Sequence, residues 1–284
     1  MNIVLTPDYS HYKDEIIRII KNFHNEGTLI GPGSRNIVKS FTIDGKQLNF
    51  KSFKQHNFIN RHVYKYYRKS KAKRSFEYAN MLIDKNFYTP QPIAYVEFHD
   101  WLGLTNSYYI SEQLENTCTL ENVFYSERPF EEVKEIIRKY TQLVYQLHER
   151  GIEFIDNSPG NFLIEKIEGA YRFFMVDLNR MNFHTDFELP KRIKNFSRIT
   201  NDPKILKLIS SEYSLLAGIS PEYFLKQIVN ASNKLRTKRK IKKILKFYKY
   251  FLKAAPTPKD MIIFSIISLL DFDFDFLLST QLFL

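Results

Sequence analysis

The chain of 284 residues contains 44% hydrophobic and 15% aromatic side chains, enough for a packed core in one large domain or in two lobes. One cysteine, Cys118, excludes an internal disulfide, and the sequence shows neither a secretion signal nor the roughly 18 consecutive apolar residues of a membrane span, so we predict a globular cytosolic protein. The net charge of +11 favours an anionic partner.

The first 115 residues show mainly β-type patterns. Apolar residues at helical spacing predict a short helix within residues 11–24. The runs NIVKSFTI and QLNFKSF, joined by Asp44-Gly45, predict a β-hairpin that follows a glycine-rich turn. A helix is predicted over residues 71–85, and the runs IAYVEF and SYYISEQL predict two more strands. This part of the chain therefore reads as a small sheet with one inserted helix.

The pattern becomes mainly helical after residue 115. The run FEEVKEIIRKYTQLVYQLHERG has apolar residues on one face and ends at Gly151, which predicts a long helix. Residues 190–253 again read as helical. We therefore predict an α+β protein with a small, mostly antiparallel β lobe that carries one helix, and a larger, mostly α-helical lobe.

A polar turn and a second hairpin interrupt this helical part. The stretch FIDNSPGNFLI places Asp156 and Asn161 five residues apart across a Ser-Pro-Gly turn. The following runs, NFLI and YRFFMVDL, are joined by Glu168-Gly169 and predict a β-hairpin. Such a hairpin would bring Asn161, before its first strand, near Asp177, after its second strand.

Six features of the sequence occur in the order of a protein-kinase-type phosphoryl-transfer site. They are Gly31-Pro32-Gly33 between strands, Lys51 at the end of the first hairpin, Glu77 on the next helix, Asp156 and Asn161 in the polar turn, and Asp177 after a strand. Each feature alone also has an ordinary structural explanation. Because all six occur in this order and on the expected strands, helix and turns, a catalytic function is favoured.

The amino-terminal members of this set fit nucleotide binding. A turn with Gly31 and Gly33 lacks side chains, so its backbone N–H groups can approach phosphates. Lys51 can neutralise α- and β-phosphate oxygens, and Glu77 is expected to pair with it and orient its ammonium group. Lys54, three positions further on, is the alternative phosphate lysine.

The carboxy-terminal members fit the chemical step. Asp156 is the candidate base that orients a substrate hydroxyl and accepts its proton. Asn161 and Asp177 offer the hard oxygen ligands that Mg²⁺ prefers. The expected cofactors are therefore ATP and Mg²⁺.

The loop sequence resembles a known family. LHERGIEFIDNSPGNFLI is similar to the stretch LH-x-x-G-[IV]-x-H-x-D-x-x-x-x-N-[IF]-L of the lipopolysaccharide kinase (Kdo/WaaP) family, which has a protein-kinase-like fold, and FFMVDLNRM resembles its DxxR metal strand. The similarity extends over about residues 28–215. It implies ATP-dependent phosphorylation of a Kdo or heptose sugar in the inner core of lipopolysaccharide, at the cytoplasmic face of the inner membrane.

The chain departs from the family pattern at two places. Phe154 stands where the family has a histidine two positions before the catalytic aspartate, which implies weaker preorganisation of the loop. Asp177-Leu178-Asn179, followed by Arg180, stands where other kinases have D-F-G, and the missing glycine implies a stiffer metal loop.

The resemblance implies a chain of four parts. They are a helical extension (residues 1–27), a nucleotide-binding small lobe (28–115), a catalytic large lobe (116–255) and a hydrophobic tail of unknown role (256–284).

The positive charge is concentrated in two segments. Residues 51–76 and 234–249 each hold nine Lys and Arg and no acidic residue. They carry +18 together, which leaves −7 for the remainder. The expected partners are a lipid A-linked core sugar and an anionic membrane surface, with two solvated basic faces as the simpler alternative. No nucleic-acid recognition motif is present.

Three other functions are compatible with the sequence, one of which is plain nucleic-acid binding, which predicts steep salt dependence and no ATP turnover. The same fold can phosphorylate another small-molecule alcohol, and the charge of the substrate cleft would separate that case from a lipopolysaccharide kinase. Phe154 and the incomplete glycine loop are also compatible with a pseudokinase adaptor at the membrane surface.

Overall fold

The computed structural model describes residues 1–31, 36–53, 69–101 and 103–254, with side chains described as far as residue 246. The chain divides into two compact units, Met1–Ile228 and a second one that begins at Val229. All candidate site residues belong to the first unit.

The amino-terminal part of the first unit is built on a six-stranded antiparallel sheet. Its strands are β1 (Asn2–Leu5), β2 (Thr28–Leu29), β3 (Asn36–Ile43), β4 (Lys46–Phe53), β5 (Pro92–Asp100) and β6 (Gly103–Glu112). The strands lie in the order β1-β5-β6-β4-β3-β2. Helix α2 (Lys71–Asp84) packs against β5 and β6. Over the described residues, the predicted antiparallel sheet with a helix between its strands is therefore confirmed.

The hairpin β3–β4 turns at the predicted dipeptide. Asp44 and Gly45 have φ angles of 48° and 76°, the left-handed pair that a two-residue turn with the twist of the strands requires. Strand pairing then continues without a shift from Ile43 opposite Lys46 to Asn36 opposite Phe53. Lys51 is placed on β4 by this register.

Residues 1–27 are more than the predicted helical extension. Helix α1 (Lys13–Lys21) is present, and its apolar residues Ile16, Ile19 and Ile20 are buried in the core of the sheet. In addition, β1 pairs with β5 and forms an edge of the sheet. The four-residue run NIVL is too short for periodicity to reveal a strand.

The rest of the first unit is mainly helical, with two small sheets. Its strands are β7 (Cys118–Thr119), β8 (Ile152–Phe154), β9 (Phe162–Ile167), β10 (Ala170–Met175) and β11 (Met181–Phe183). Its helices are α3 (Leu120–Phe124), α4 (Phe130–Glu149), α5 (Leu189–Asn195), α6 (Pro203–Ala217) and the start of α7 (Pro221–Ala254). The strands pair in the orders β10-β9-β7 and β11-β8.

Helix α4 has the predicted bounds and ends for a clear physical reason. Gly151 follows it with a φ angle of 68°, a conformation that disfavours other residues. A Cβ atom at this position would also collide with the backbone oxygen of His184. The chain can therefore leave the helix here and enter β8, which leads to the polar turn.

Two predicted segments lie wholly or mainly outside the described residues. These are the tail of residues 256–284 and most of the first basic segment, including Lys54. In the second unit, α7 continues as far as Ala254, and its Lys and Arg side chains from 234 to 246 are exposed or half-buried. Among the described helices, none has the length and apolar content to cross a bilayer.

Candidate active site

A cavity of about 520 Å³ lies beside the predicted site residues. This volume is in the range of binding sites for small molecules and cofactors. The six-stranded sheet contributes Val38, Lys51 and Tyr109, the connection between β6 and β7 contributes Gln113, Leu114 and Thr117, and the helical part contributes Asn161, Leu163 and Asp177.

The hairpin β9–β10 brings Asn161 and Asp177 to the same end of the cavity. Glu168 and Gly169 form its turn, with φ angles of 49° and 82°. At the open end, Phe162 lies opposite Met175, and the Val176 N–H donates to the Asn161 carbonyl oxygen at 3.0 Å. The two candidate metal ligands are therefore neighbours because of the hairpin register.

Lys51 and Asp177 form an ion pair across this end of the cavity. The Lys51 Nζ lies 2.7 Å from Asp177 Oδ1, and the side chains are 16% and 35% exposed. The same oxygen accepts a hydrogen bond of 2.6 Å from Asn179 Nδ2. Asp177 thus holds the ammonium group of Lys51 at the cavity wall.

The predicted pair between Lys51 and Glu77 is not formed. Glu77 pairs instead with Lys69, whose Nζ lies 3.0 and 2.8 Å from the two carboxylate oxygens. The hydrogen bond to Glu77 raises the pKa of Lys69. Of the described residues of α2, Ser75 lines the cavity and Glu77 does not. The prediction failed because Asp177, distant in sequence, supplies the carboxylate that meets Lys51.

The glycine-rich turn is described only at its first residue. Gly31 has a φ angle of 73°, and a Cβ atom there would meet no atom within 4 Å. The preceding Ile30 donates its N–H to Val38 O at 2.8 Å and lines the cavity. Gly33 lies outside the described residues. The described part of the turn is therefore adjacent to the cavity.

The carboxylate of Asp156 is held by two arginines. Asp156 Oδ1 accepts hydrogen bonds from Arg180 Nη1 at 3.2 Å and from Arg198 Nη1 at 2.8 Å. The Asn161 Nδ2 donates to the Asp156 carbonyl oxygen at 2.8 Å. This last bond links the candidate base to a candidate metal ligand across the Ser-Pro-Gly turn.

A buried hydrogen-bond network links the polar turn to helices α4 and α5. Asn157 accepts a bond of 2.6 Å from Tyr140 OH and donates one of 3.1 Å to Asn195 Oδ1. Asn195 in turn donates to the Phe154 carbonyl oxygen at 2.9 Å. These bonds fix both flanks of Asp156. Phe154 itself is buried and packs edge-on against Phe162, so Asn157 and Asn195 give the loop polar support that its side chain lacks.

His148 completes this network in its neutral form. Its Nε2 lies 3.2 Å from Asn195 Oδ1 and its Nδ1 lies 2.9 Å from Tyr213 OH. Because Asn195 Oδ1 is an acceptor, Nε2 donates, and Nδ1 accepts from the tyrosine hydroxyl. Burial lowers the pKa of His148 to about 3. The histidine therefore acts as an uncharged structural link between α4, α5 and α6.

Sequence reasoning missed three residues around Asp156. Asn157 is hidden within the turn signal, and Asn195 and Arg198 carry no local motif. Arg198 lies 42 positions from Asp156, so only the tertiary fold brings the two together. Arg180 was visible in the sequence as the residue after Asp177-Leu178-Asn179, but its contact with Asp156 was not.

Comparison with known proteins defines the class of this chain. The sequence model of the lipopolysaccharide kinase (Kdo/WaaP) family matches residues 33–206, which is more than half of the chain. The protein belongs to this family. It is accordingly a phosphotransferase that acts on a sugar hydroxyl of lipopolysaccharide and uses ATP.

The fold of this chain is similar to that of a solved structure. The chain is similar to the structure titled "WaaP in complex with acyl carrier protein", with a TM-score of 0.58 and 15% sequence identity. The match covers 84% of this chain and 98% of the other. No curated protein matches the sequence.

Proposed function

We propose that the protein transfers the γ-phosphate of ATP to a hydroxyl of Kdo or heptose in the inner core of lipopolysaccharide. The observation that carries this proposal is the convergence of Lys51, Asn161 and Asp177 on one cavity, with Asp156 bonded to Asn161 beside it. These residues lie far apart in the sequence, and the fold brings Lys51, Asn161 and Asp177 to one end of the same cavity, which supports the proposal.

The proposed architecture is a protein-kinase-like pair of lobes. Residues 28–115 would form the nucleotide-binding small lobe and residues 116–255 the catalytic large lobe, with an extension of residues 1–27 and a tail of residues 256–284. The antiparallel sheet before residue 113 and the helices after it support this division.

The nucleotide half of the mechanism uses the cavity and Lys51. The lysine would contact phosphate oxygens, and its ion pair with Asp177 holds it at the cavity end where those phosphates are expected. The turn that contains Gly31 and Gly33 would approach the phosphates with its backbone N–H groups. Glu77 has no role in this proposal because it faces Lys69.

Asn161 and Asp177 fit a divalent cation by the chemistry of their free oxygens. Asn161 donates its amide Nδ2 to Asp156, which leaves its Oδ1 for a metal. Asp177 Oδ1 is used by Lys51 and Asn179, while Oδ2 accepts no hydrogen bond from the described residues. Mg²⁺ held by these two residues would neutralise charge on the transferred phosphoryl group.

Asp156 would orient the acceptor hydroxyl and take its proton. Its Oδ2 accepts no hydrogen bond from the described part of the chain and is therefore available to the hydroxyl. In the reaction, the hydroxyl oxygen bonds to the γ-phosphorus and its proton passes to Asp156. The bond between the γ-phosphorus and the bridging oxygen breaks, and ADP leaves.

The acceptor sugar can be assigned by a direct assay. The purified protein is incubated with ATP, Mg²⁺ and either Kdo-lipid A or a heptosylated acceptor, and the product is analysed by mass spectrometry of its sugars. Phosphate on Kdo or on heptose supports the proposal and identifies the sugar. Mg²⁺-dependent ATP binding without transfer to either acceptor would instead indicate another alcohol as substrate.

A further inference from the structure

Two guanidinium groups meet at one oxygen of the candidate base. Arg180 lies between β10 and β11, and Arg198 ends the short helix Phe196–Arg198. Their Nη1 atoms lie 3.2 and 2.8 Å from Asp156 Oδ1. Two separate segments of the chain therefore place a positive charge beside Asp156 Oδ1.

This arrangement holds more positive charge than Asp156 can balance. Two guanidinium groups against one carboxylate leave a formal charge of +1, and among the described residues neither arginine pairs with a second carboxylate. Arg180 is 46% and Arg198 30% exposed, so both can be reached from solvent. Each guanidinium has five N–H donors in a planar fork, most of which Asp156 does not use.

The excess charge is not part of the nucleotide cavity. Neither Arg180 nor Arg198 lines that cavity, and the Lys51–Asp177 pair at its end is formally neutral. The two arginines therefore lie at Asp156 but outside the described nucleotide cavity. The group expected near Asp156 is the acceptor, because Asp156 receives the proton of the reacting hydroxyl.

We propose that Arg180 and Arg198 form a binding site for an anionic group, a carboxylate or a phosphate, carried by the acceptor. This inference rests on the proposed function of Asp156. Planar, bidentate recognition of such oxyanions is the task for which arginine is best suited. The acceptor anion would take up the donors that Asp156 leaves unused, and it would hold the hydroxyl next to the base. An acceptor without this anion should bind poorly.

The test compares Arg180→Gln and Arg198→Gln with the intact protein. Arg172→Gln is the matched control, because Arg172 stacks on Tyr88 at 4.6 Å in β10 and also carries one positive charge. With the anionic acceptor, each site variant should raise the acceptor KM about 10- to 100-fold, the usual effect of losing a hydrogen bond to a charged group. The KM for ATP should stay unchanged, as should both constants in the control.

Two modified acceptors identify the source of the anion. One has its sugar carboxylate converted to a methyl ester, and the other has its lipid A phosphates removed. The modification that removes the recognised group should raise the acceptor KM of the intact protein and abolish the further effect of the arginine variants. Equal losses of kcat with every acceptor, at unchanged KM, would show that the arginines only support Asp156 and would overturn the inference.

A binding measurement separates this inference from the proposed function. Free Kdo and inorganic phosphate are titrated into the intact protein and the three variants by calorimetry, without ATP. Binding of either probe that is lost in Arg180→Gln and Arg198→Gln, and kept in Arg172→Gln, supports the anion site even if no phosphate transfer is found. Binding of neither probe, or equal binding by all variants, refutes it.

Discussion

At the scale of single residues, the backbone angle and two hydrogen bonds of Asp177 together fix the position of its carboxylate. It has a φ angle of 59°, an unusual conformation for a residue other than glycine, which Asp and Asn tolerate best. Its Oδ1 binds both Lys51 and Asn179. Leu178, which follows, is buried. The carboxylate is thereby aimed at Lys51 by both the backbone and its neighbours.

The position of Lys51 leads to a prediction about ATP binding. Replacement of Lys51 by Ala should weaken ATP binding at least about tenfold, because a hydrogen bond to a charged group is worth about 1.5–3 kcal/mol. Lys54→Ala should bind ATP like the intact protein. Calorimetric titration with a non-hydrolysable ATP analogue measures both. Loss of binding in Lys54→Ala alone would mean that the phosphate lysine has been assigned to the wrong residue.

At the scale of elements, the support of the polar turn comes from α4, α5 and α6. Asn195 on α5 is the centre, because it bonds to Asn157, to His148 and to the Phe154 carbonyl oxygen. It is 7% exposed, so water cannot readily replace these partners. The network therefore gives the loop polar contacts where the Phe154 side chain offers none.

Asn195→Ala should destabilise the fold and lower activity. It leaves the Asn157 amide and the His148 N–H without a partner, at a cost of about 1–3 kcal/mol for each unsatisfied group, and the Phe154 carbonyl oxygen keeps only its bond from the Asn157 backbone N–H. Urea unfolding measures the loss of free energy. Asn182→Ala, which removes an exposed bond to Glu153, should cost less than about 1 kcal/mol and serves as the control. Similar losses for both variants would contradict the role given to the network.

His148 makes stability depend on pH. Burial holds its pKa at about 3, whereas in the unfolded chain it is about 6.5. Between these values the unfolded state binds a proton that the folded state does not, so stability falls as the pH decreases below about 6.5. The loss should approach about 2 kcal/mol at roughly pH 5.

Urea unfolding at about pH 6.5 and at about pH 5 measures this change in the free energy of unfolding. The His148→Gln variant should lose this part of the pH dependence, and the exposed His99→Gln variant should keep it. An unchanged slope in His148→Gln would show that other groups determine the acid sensitivity.

The elements that sequence analysis predicted well are those with local signals. Asp44-Gly45 and Glu168-Gly169 both form tight turns with positive φ angles, so both hairpins follow from their dipeptides. The nearness of Asn161 and Asp177 follows from the second hairpin alone. Strand β1 has only four residues and forms through pairing with β5, a signal that lies in the tertiary structure.

The contacts that sequence analysis predicted wrongly or missed are long-range. Lys51 meets Asp177, 126 positions away, and the expected partner Glu77 meets Lys69. The two arginines reach Asp156 from 24 and 42 positions away. Residue types and their order indicated the chemistry, but which charges pair depends on the packing of separate elements.

At the scale of the whole molecule, we propose that the protein lies at the periphery of the inner membrane, on its cytoplasmic face. The charge of +11 and the exposed basic residues of α7 support this proposal. Each basic residue near an anionic leaflet contributes about 1 kcal/mol, and salt weakens the attraction. A lipid-linked acceptor would be reached most readily from that surface.

Vesicle binding tests the membrane proposal. Changing Lys240, Lys242 and Lys243 to Gln should weaken binding to phosphatidylglycerol vesicles about 100-fold, and high salt should weaken binding of the intact protein. Changing three exposed lysines elsewhere, Lys13, Lys21 and Lys85, removes the same charge and should have a smaller effect. Equal effects of the two triple variants would indicate attraction by net charge rather than by α7.

We propose that phosphate transfer to a core sugar depends on Asp156 as the base and on Asp177 as a metal ligand. The most direct test measures transfer from ATP, with Mg²⁺, to Kdo-lipid A by the intact protein, Asp156→Ala and Asp177→Ala. We expect product from the intact protein and at least about a 100-fold lower rate in both variants, with ATP binding retained in Asp156→Ala. Undiminished product in either variant would contradict the role proposed for that aspartate.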